Sequence, residues 1–268
     1  MIKLVAIDMD GTLLNSNHVI APQNIPVIKK ASASGVKVVL TTGRPLSGLQ
    51  AELKTLGLVD SDQYVVAFNG SLVQSVTGEI LSSTVFDFSD YLELEQLANQ
   101  YQVHLDIENN DAIYTTNHNI NTTVSTESYL LNLPIKICDL AELPQDLLIP
   151  KCMYIDDPVK IERFVEEIPS SMQDRYNFLL SDRGYIDVAP KAATKANGLQ
   201  KLANVLDIKA DEIMAIGDQR NDLSMLNYVG LPVAMGNAID DVKAVAKFVT
   251  GTNDDGGVAQ ALTKVLGN

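Results

Sequence analysis

The chain contains no tryptophan, two cysteines and three histidines, and none of its apolar runs approaches the ~18 to 20 residues needed to cross a bilayer. Each shortage removes a class of protein. Cys138 and Cys152 show no CxxC spacing and cannot build a disulfide framework or a redox pair. His18, His104 and His118 form no H-x-x-x-H pair, which argues against zinc. Basic residues are also scarce: 20 Lys and Arg against 34 Asp and Glu give a formal net charge of -14, with no basic run to offset it. That field repels nucleic acid and anionic membranes, so neither is expected as a partner. Lys3 and Asp8 interrupt the first apolar stretch before a signal-peptide core forms, and the expected location is cytoplasmic.

What is present fits a globular chain. At 268 residues and 46% hydrophobic content, one large or two modest domains are expected. Lys3 to Ile7, Val36 to Leu40 and Tyr64 to Phe68 are nearly continuous apolar segments, the pattern of strands buried on both faces of a parallel sheet. Pro22 to Ser34 and Pro45 to Leu56 between them read as helices, each followed by glycine, and Leu46, Leu49, Leu53 and Leu56 form one apolar stripe. The same style resumes late, with a helix over Lys195 to Leu206 carrying Leu199, Leu202, Val205 and Leu206 on one face. Strands follow at Ile213 to Ile216, Leu231 to Ala234 and Phe248 to Thr250. The expected fold is α/β: a doubly wound, mostly parallel, Rossmann-like sheet formed by residues 1–83 and 191–268. Residues 84–190 have hairpin-like segments and different spacing, and read as an inserted α+β domain.

The chemistry-bearing residues sit where such strands end, which is where parallel α/β sheets bind ligands. Asp8-Met9-Asp10-Gly11-Thr12 follows the first strand, so two carboxylates emerge beside a glycine loop. Thr41-Thr42-Gly43-Arg44 follows the second; a hydroxyl and a bare glycine amide opening a helix suit a phosphate oxygen, although an ordinary capped turn has the same residues. Gly217-Asp218-Gln219-Arg220-Asn221-Asp222 follows a later strand. Asp218 has no capping duty there and is a metal-ligand candidate, whereas Asp222 also suits simple complementation of a helix N-terminus. Lys191, Lys195 and Lys201 are the candidate cations. Asn253-Asp254-Asp255-Gly256-Gly257 lacks the spacing of an EF-hand loop and reads as a turn; Asn69-Gly70 fits a tight hairpin turn, and its place at a strand end leaves room for a site role.

Taken in order, Asp-x-Asp-Gly-Thr, Thr-Thr-Gly-Arg, a lysine and Gly-Asp-x-x-Asn-Asp resemble the haloacid dehalogenase-like hydrolase superfamily. The long insertion before the lysine is similar to the Cof-type sugar-phosphatase branch with its C2-type cap; Ala196 stands where that branch usually carries glycine after the lysine. The resemblance implies a phosphatase acting on a small phosphorylated molecule, with Asp8 as nucleophile and Asp10 as general acid and then general base. It implies Mg²⁺ held by the Asp8 carboxylate, the Asp10 backbone carbonyl and Asp218, with Asp222 in support. Phosphate oxygens would be gripped by Met9 and Gly43 amides, Thr42, Lys195 and Asn221. A phosphotransferase or mutase on the same scaffold is the nearest competing reading, and a phospho-accepting receiver module is one from a different class. The residues carry no signal for a particular oligomeric state.

Overall fold

The computed structural model describes residues 1–267. Its backbone forms two compact units, Met1–Ser82 together with Thr194 to the C-terminal end, and Ser83–Ala193. The sequence reading put the junctions at 83/84 and 190/191.

The first unit begins with β1 (Leu4–Asp8), α1 (Asn24–Ala33), β2 (Lys37–Thr41), α2 (Gln50–Leu56), β3 (Tyr64–Ala67), β4 (Leu72–Ser75) and β5 (Ile80–Ser83). The second unit contributes α3 (Phe88–Tyr101), β6 (Leu105–Glu108), β7 (Ile113–Thr115), α4 (Thr122–Leu131), β8 (Ile135–Ile137), β9 (Lys151–Ile155), α5 (Pro158–Glu167), α6 (Ser170–Arg175), β10 (Tyr176–Asp182) and β11 (Tyr185–Pro190). The chain then returns to the first unit with α7 (Lys195–Val205), β12 (Ile213–Gly217), α8 (Leu223–Tyr228), β13 (Leu231–Ala234), α9 (Asp240–Val245), β14 (Phe248–Val249) and α10 (Gly257–Leu266).

The first unit is built on one sheet in the order β14-β13-β12-β1-β2-β3-β4-β5. From β14 to β3 every pairing is parallel, and β4 turns back antiparallel on β3. All five residues of β1 are buried, which requires cover on both faces. Two helix groups supply it: α1 packs on α10 and α2, while α8 packs on α7 and α9. The apolar runs of the inner strands are therefore continuous because neither of their faces meets water. The chain leaves β1 for β2 and later places β12 on β1's other side. This is a topological switch point, where parallel sheets leave a crevice at their carboxyl ends.

Two helices differ from the sequence reading. The segment expected as one helix over Pro45 to Leu56 splits into a 3-10 turn, Leu46–Leu49, and α2. Pro45 starts the turn and Gly48 lies within it, weakening a regular helix there. The apolar stripe survives, with Leu46, Leu49, Leu53 and Leu56 all buried. In α7, Leu199 and Leu202 are buried but Val205 is 59% exposed. Six residues beyond Leu199, Val205 lies about 240° around the helix, off the buried face.

The second unit has a six-stranded sheet in the order β10-β11-β9-β6-β7-β8. Leu105, Ile107, Cys152, Tyr154, Ile186 and Val188 join one apolar core with residues of α3 and α5. By strand alternation Asp106 and Glu108 point to the opposite face, where Lys151 lies 2.9 Å from Glu108 and 3.2 Å from Asp187. The two cysteines are free. Among the described residues, no helix is long and apolar enough to cross a membrane.

Candidate active site

The carboxyl ends of β1, β2, β3 and β12 lie side by side because these strands run parallel. Each end carries one of the sequence-predicted segments. Asp8 is the last residue of β1, paired in register with Thr41 of β2. Asp218 follows Gly217 at the end of β12, and Lys195 opens α7, capped by Thr194, whose side chain accepts from the Asn197 N–H. That cap and the buried face of α7 aim Lys195 inward, so the lysine is 1% exposed despite its charge.

Lys195 donates through Nζ to Asp8 Oδ1 and, at 2.6 Å, to Asp222 Oδ1. The second oxygen of Asp222 accepts from the backbone N–H groups of Asp218 at 2.9 Å and Gln219 at 3.0 Å. Asp222 therefore closes the loop after β12 on itself while also gripping the lysine. Thr12 Oγ1 donates to Asp218 Oδ1 at 2.9 Å, tying the loop after β1 to the loop after β12. Gly11 allows this approach: its φ is +80°, and a Cβ there would lie 2.4 Å from Asp218 Oδ2.

Carboxylate oxygens of Asp8, Asp218 and Asp222 lie within 4.8 Å of one another. The electrostatics follow from three buried acids facing one lysine. Burial, and then Asp222, pushes the Asp8 carboxyl well above the usual range, and Lys195 only partly opposes this. Burial likewise pushes Asp218 up to about 6, with the Thr12 hydroxyl pulling the other way. Burial alone would lower the Lys195 ammonium, but Asp222 and Asp8 outweigh it and hold it above the ordinary lysine range. The cluster carries more negative than positive charge, an arrangement that a bound cation would relieve. Hard oxygen donors in this number suit Mg²⁺.

The other predicted residues take distinct places. Met9 buries its side chain in the core, so only its backbone is offered to the site. Thr42 is buried, and its Oγ1 accepts from the Arg44 N–H at 3.2 Å, which leaves its own hydrogen to donate. Gly43 follows on the same turn. Asn221 lies on the 3-10 turn Arg220–Asp222 and donates through Nδ2 to Asn69 Oδ1 at 3.2 Å. The Asp10 side chain is not part of the buried cluster. It is 51% exposed and held by Arg44, through Nε to Oδ2 at 3.0 Å and through Nη2 to Oδ1. Of the other candidate cations, Lys191 donates to the Gln173 carbonyl at 2.7 Å within the second unit.

Several contributors escaped the sequence reading. Arg44 was readable as a cation on the turn after β2, one strand away from Asp10. The Asn253–Asp255 turn does more than lead into a helix. Asn253 Nδ2 donates to the Leu14 carbonyl at 3.0 Å, and Asp254 accepts from the Ser16 N–H and hydroxyl at 2.8 and 2.9 Å. Asn237 Nδ2 donates to the Gly11 carbonyl at 2.8 Å. These side chains fasten the loop after β1 from a point more than two hundred residues away, which no local signal reveals.

Comparison with known proteins identifies the family. The chain matches the haloacid dehalogenase-like hydrolase family over residues 5–262. It is 38% identical over 267 residues to YxeH of Bacillus subtilis (strain 168), covering 99% of each chain. A haloacid dehalogenase-like hydrolase from Bacteroides thetaiotaomicron superposes with a TM-score of 0.89 at 28% identity, over 99% of this chain and 100% of that one. The subclass IIB sugar phosphatase BT4131 superposes at 0.80 with 25% identity, over 99% of each chain. The chain belongs to the haloacid dehalogenase-like hydrolases, in their Cof-type branch, and is a phosphatase.

Proposed function

We propose that this phosphatase hydrolyses sugar phosphates or other small phosphorylated metabolites, with Mg²⁺ bound, by way of an aspartyl-phosphate on Asp8. The observation that carries the reading is Lys195 held between Asp8 and Asp222, with an Asp218 oxygen within the same 4.8 Å cluster. A carboxylate approaches a phosphate dianion only where positive charge offsets the repulsion, and the lysine supplies part of it. Asp8, Asp218 and the Asp10 backbone carbonyl would hold the cation, with Asp222 bracing the lysine and the loop amides. When bound, the cation supplies electrostatic stabilisation of the phosphoryl oxygens.

In the first half-reaction an Asp8 oxygen attacks phosphorus, the ester P–O bond breaks, and Asp10 gives a proton to the departing oxygen. In the second, Asp10 takes a proton from water, the water oxygen attacks phosphorus, and the Asp8–phosphorus bond breaks to free inorganic phosphate. Thr42, Lys195, Asn221 and the amides of Met9 and Gly43 orient the phosphoryl oxygens. Arg44 competes for the Asp10 carboxylate, so the Asp10–Arg44 pair must part before Asp10 can act. The sugar-phosphate class is supported by the neighbour BT4131, which is a sugar phosphatase.

A phosphate-release screen over sugar phosphates, nucleotides and other metabolite phosphates tests the substrate class. Steady release from several sugar phosphates is expected. Conversion of a sugar phosphate to its isomer with little phosphate released would replace hydrolysis by phosphoryl transfer.

A further inference from the structure

One residue at the strand ends has no role in the scheme above. Asn69 lies in the tight turn Phe68–Gly70 that joins β3 to β4, and both it and Phe68 have left-handed backbones, at φ 52° and 49°. Two successive non-glycine residues in that region are uncommon and strained, and asparagine tolerates it better than most. The turn is held where it is by backbone bonds: the Asn69 N–H donates to the Thr42 carbonyl at 2.8 Å and the Phe68 N–H to the Arg44 carbonyl at 3.3 Å. It is thereby stitched to the turn after β2.

The Asn69 side chain reaches two further places. Its Oδ1 accepts from Asn221 Nδ2 at 3.2 Å, so Asn221's carboxamide is anchored by Asn69. Its Nδ2 lies 3.1 Å from where a Gly43 Cβ would be, so any larger residue at 43 would crowd this side chain. One carboxamide thus spans the Thr42–Gly43 turn and the Asn221 turn, which come from opposite ends of the sequence.

We propose that Asn69 is a positioning residue for the phosphoryl group, fixing the orientation of Asn221 against the Gly43 turn. This rests on the assignment of Gly43 and Asn221 to phosphate oxygens. A locked carboxamide presents its remaining polar atoms in one direction, and the strained turn is tolerated because it delivers the side chain there. The alternative, that Asn69 merely closes a hairpin, predicts no coupling to Asn221.

Asn69→Gly separates the two, because glycine adopts φ 52° without strain and deletes only the carboxamide. Binding of inorganic phosphate in the presence of Mg²⁺ is measured by titration calorimetry for the wild type, Asn69→Gly, Asn221→Ala and the double variant, with thermal melts of each. Asn69→Gly is expected to melt no lower than the wild type and to bind phosphate about three- to tenfold more weakly, the loss of one oriented hydrogen bond. The double variant is expected to bind no more weakly than Asn221→Ala alone. KM for an aryl phosphate should rise by the same factor. If Asn221→Ala weakens phosphate binding while Asn69→Gly binds as the wild type does, or if the two losses multiply, the positioning role is overturned. If Asn221→Ala itself binds phosphate unchanged, the phosphate-site assignment fails, and this inference with it.

Discussion

Lys195 Nζ lies 2.6 Å from Asp222 Oδ1, and neither side chain reaches solvent. Charges are rarely buried so fully unless each is paired, and here the pairing is shared: the lysine also serves Asp8, and Asp222 also serves two loop amides. Lys195→Met keeps the volume and removes the one cation that, among the described residues, donates to Asp8 and Asp222. It is expected to cost roughly 3 to 5 kcal/mol of stability in metal-free protein at neutral pH, the usual penalty for stranding a buried charge. Urea denaturation of the wild type and variant measures it. A loss below 1 kcal/mol would mean that the acids are not ionised together.

The same surplus of buried acid leads to a metal prediction that needs no substrate. Mg²⁺ binding to the folded chain alone must raise its melting temperature, by an amount that grows with concentration. Asp218→Asn, which keeps a group able to accept from Thr12, should abolish most of that shift. Activity should disappear with EDTA and return with added Mg²⁺. A wild-type melting temperature indifferent to Mg²⁺ would refute the cation reading of the cluster.

Asp8→Asn tests the nucleophile. Turnover of a generic aryl phosphate should fall on the order of 10⁴-fold or more, because an amide oxygen is a far weaker nucleophile than the carboxylate it replaces. The fold should persist, and metal-free protein should be as stable as the wild type or more so, since burial and Asp222 already disfavour the Asp8 charge. Retained turnover in steady-state phosphate release would remove Asp8 from the role.

The doubly wound core was legible because its inner strands are buried on both faces and its helices carry apolar stripes. Leu46, Leu49, Leu53 and Leu56 stay on one buried face even where the helix breaks into a 3-10 turn. The short elements β4, β5, β8 and α6 were not legible. Three to six residues carry too little periodicity, and tertiary packing decides their state. The gathering of Asp8, Lys195, Asp218 and Asp222 could be anticipated because each follows or opens an element with a strong local signal. Arg44 and Asn69 could be placed at strand ends, with a site role open for Asn69, but not paired, since their partners Asp10 and Asn221 become neighbours only through strand order. Asn253 is the extreme case: its partner is the backbone of Leu14, and a carbonyl has no sequence signature.

The second unit supports a prediction about pH that is independent of catalysis. Burial pushes the Asp106 carboxyl up to about 7; the Thr115 hydroxyl opposes it, and the nearby Glu95 charge adds to it. Its Oδ1 has no hydrogen-bond partner. In the unfolded chain the group titrates near the ordinary value, ~4. Between about pH 4 and 7 the folded state therefore holds a proton that the unfolded state has released. Stability must fall as pH rises through that window, with the cost fully present above it. Asp106→Asn keeps the shape and removes the charge, so the variant should gain on the wild type as pH rises, on the order of 2 to 4 kcal/mol by pH 8. At pH 4 the two should differ little, because the wild-type carboxyl is then protonated in the fold. Urea midpoints for both proteins at half-unit intervals from pH 4 to 8 give the difference directly, with Asp8, Asp218 and the histidines cancelling between them. A constant difference across the range would show that Asp106 is ionised in the fold throughout, and that a counter-charge outside its immediate neighbours compensates it.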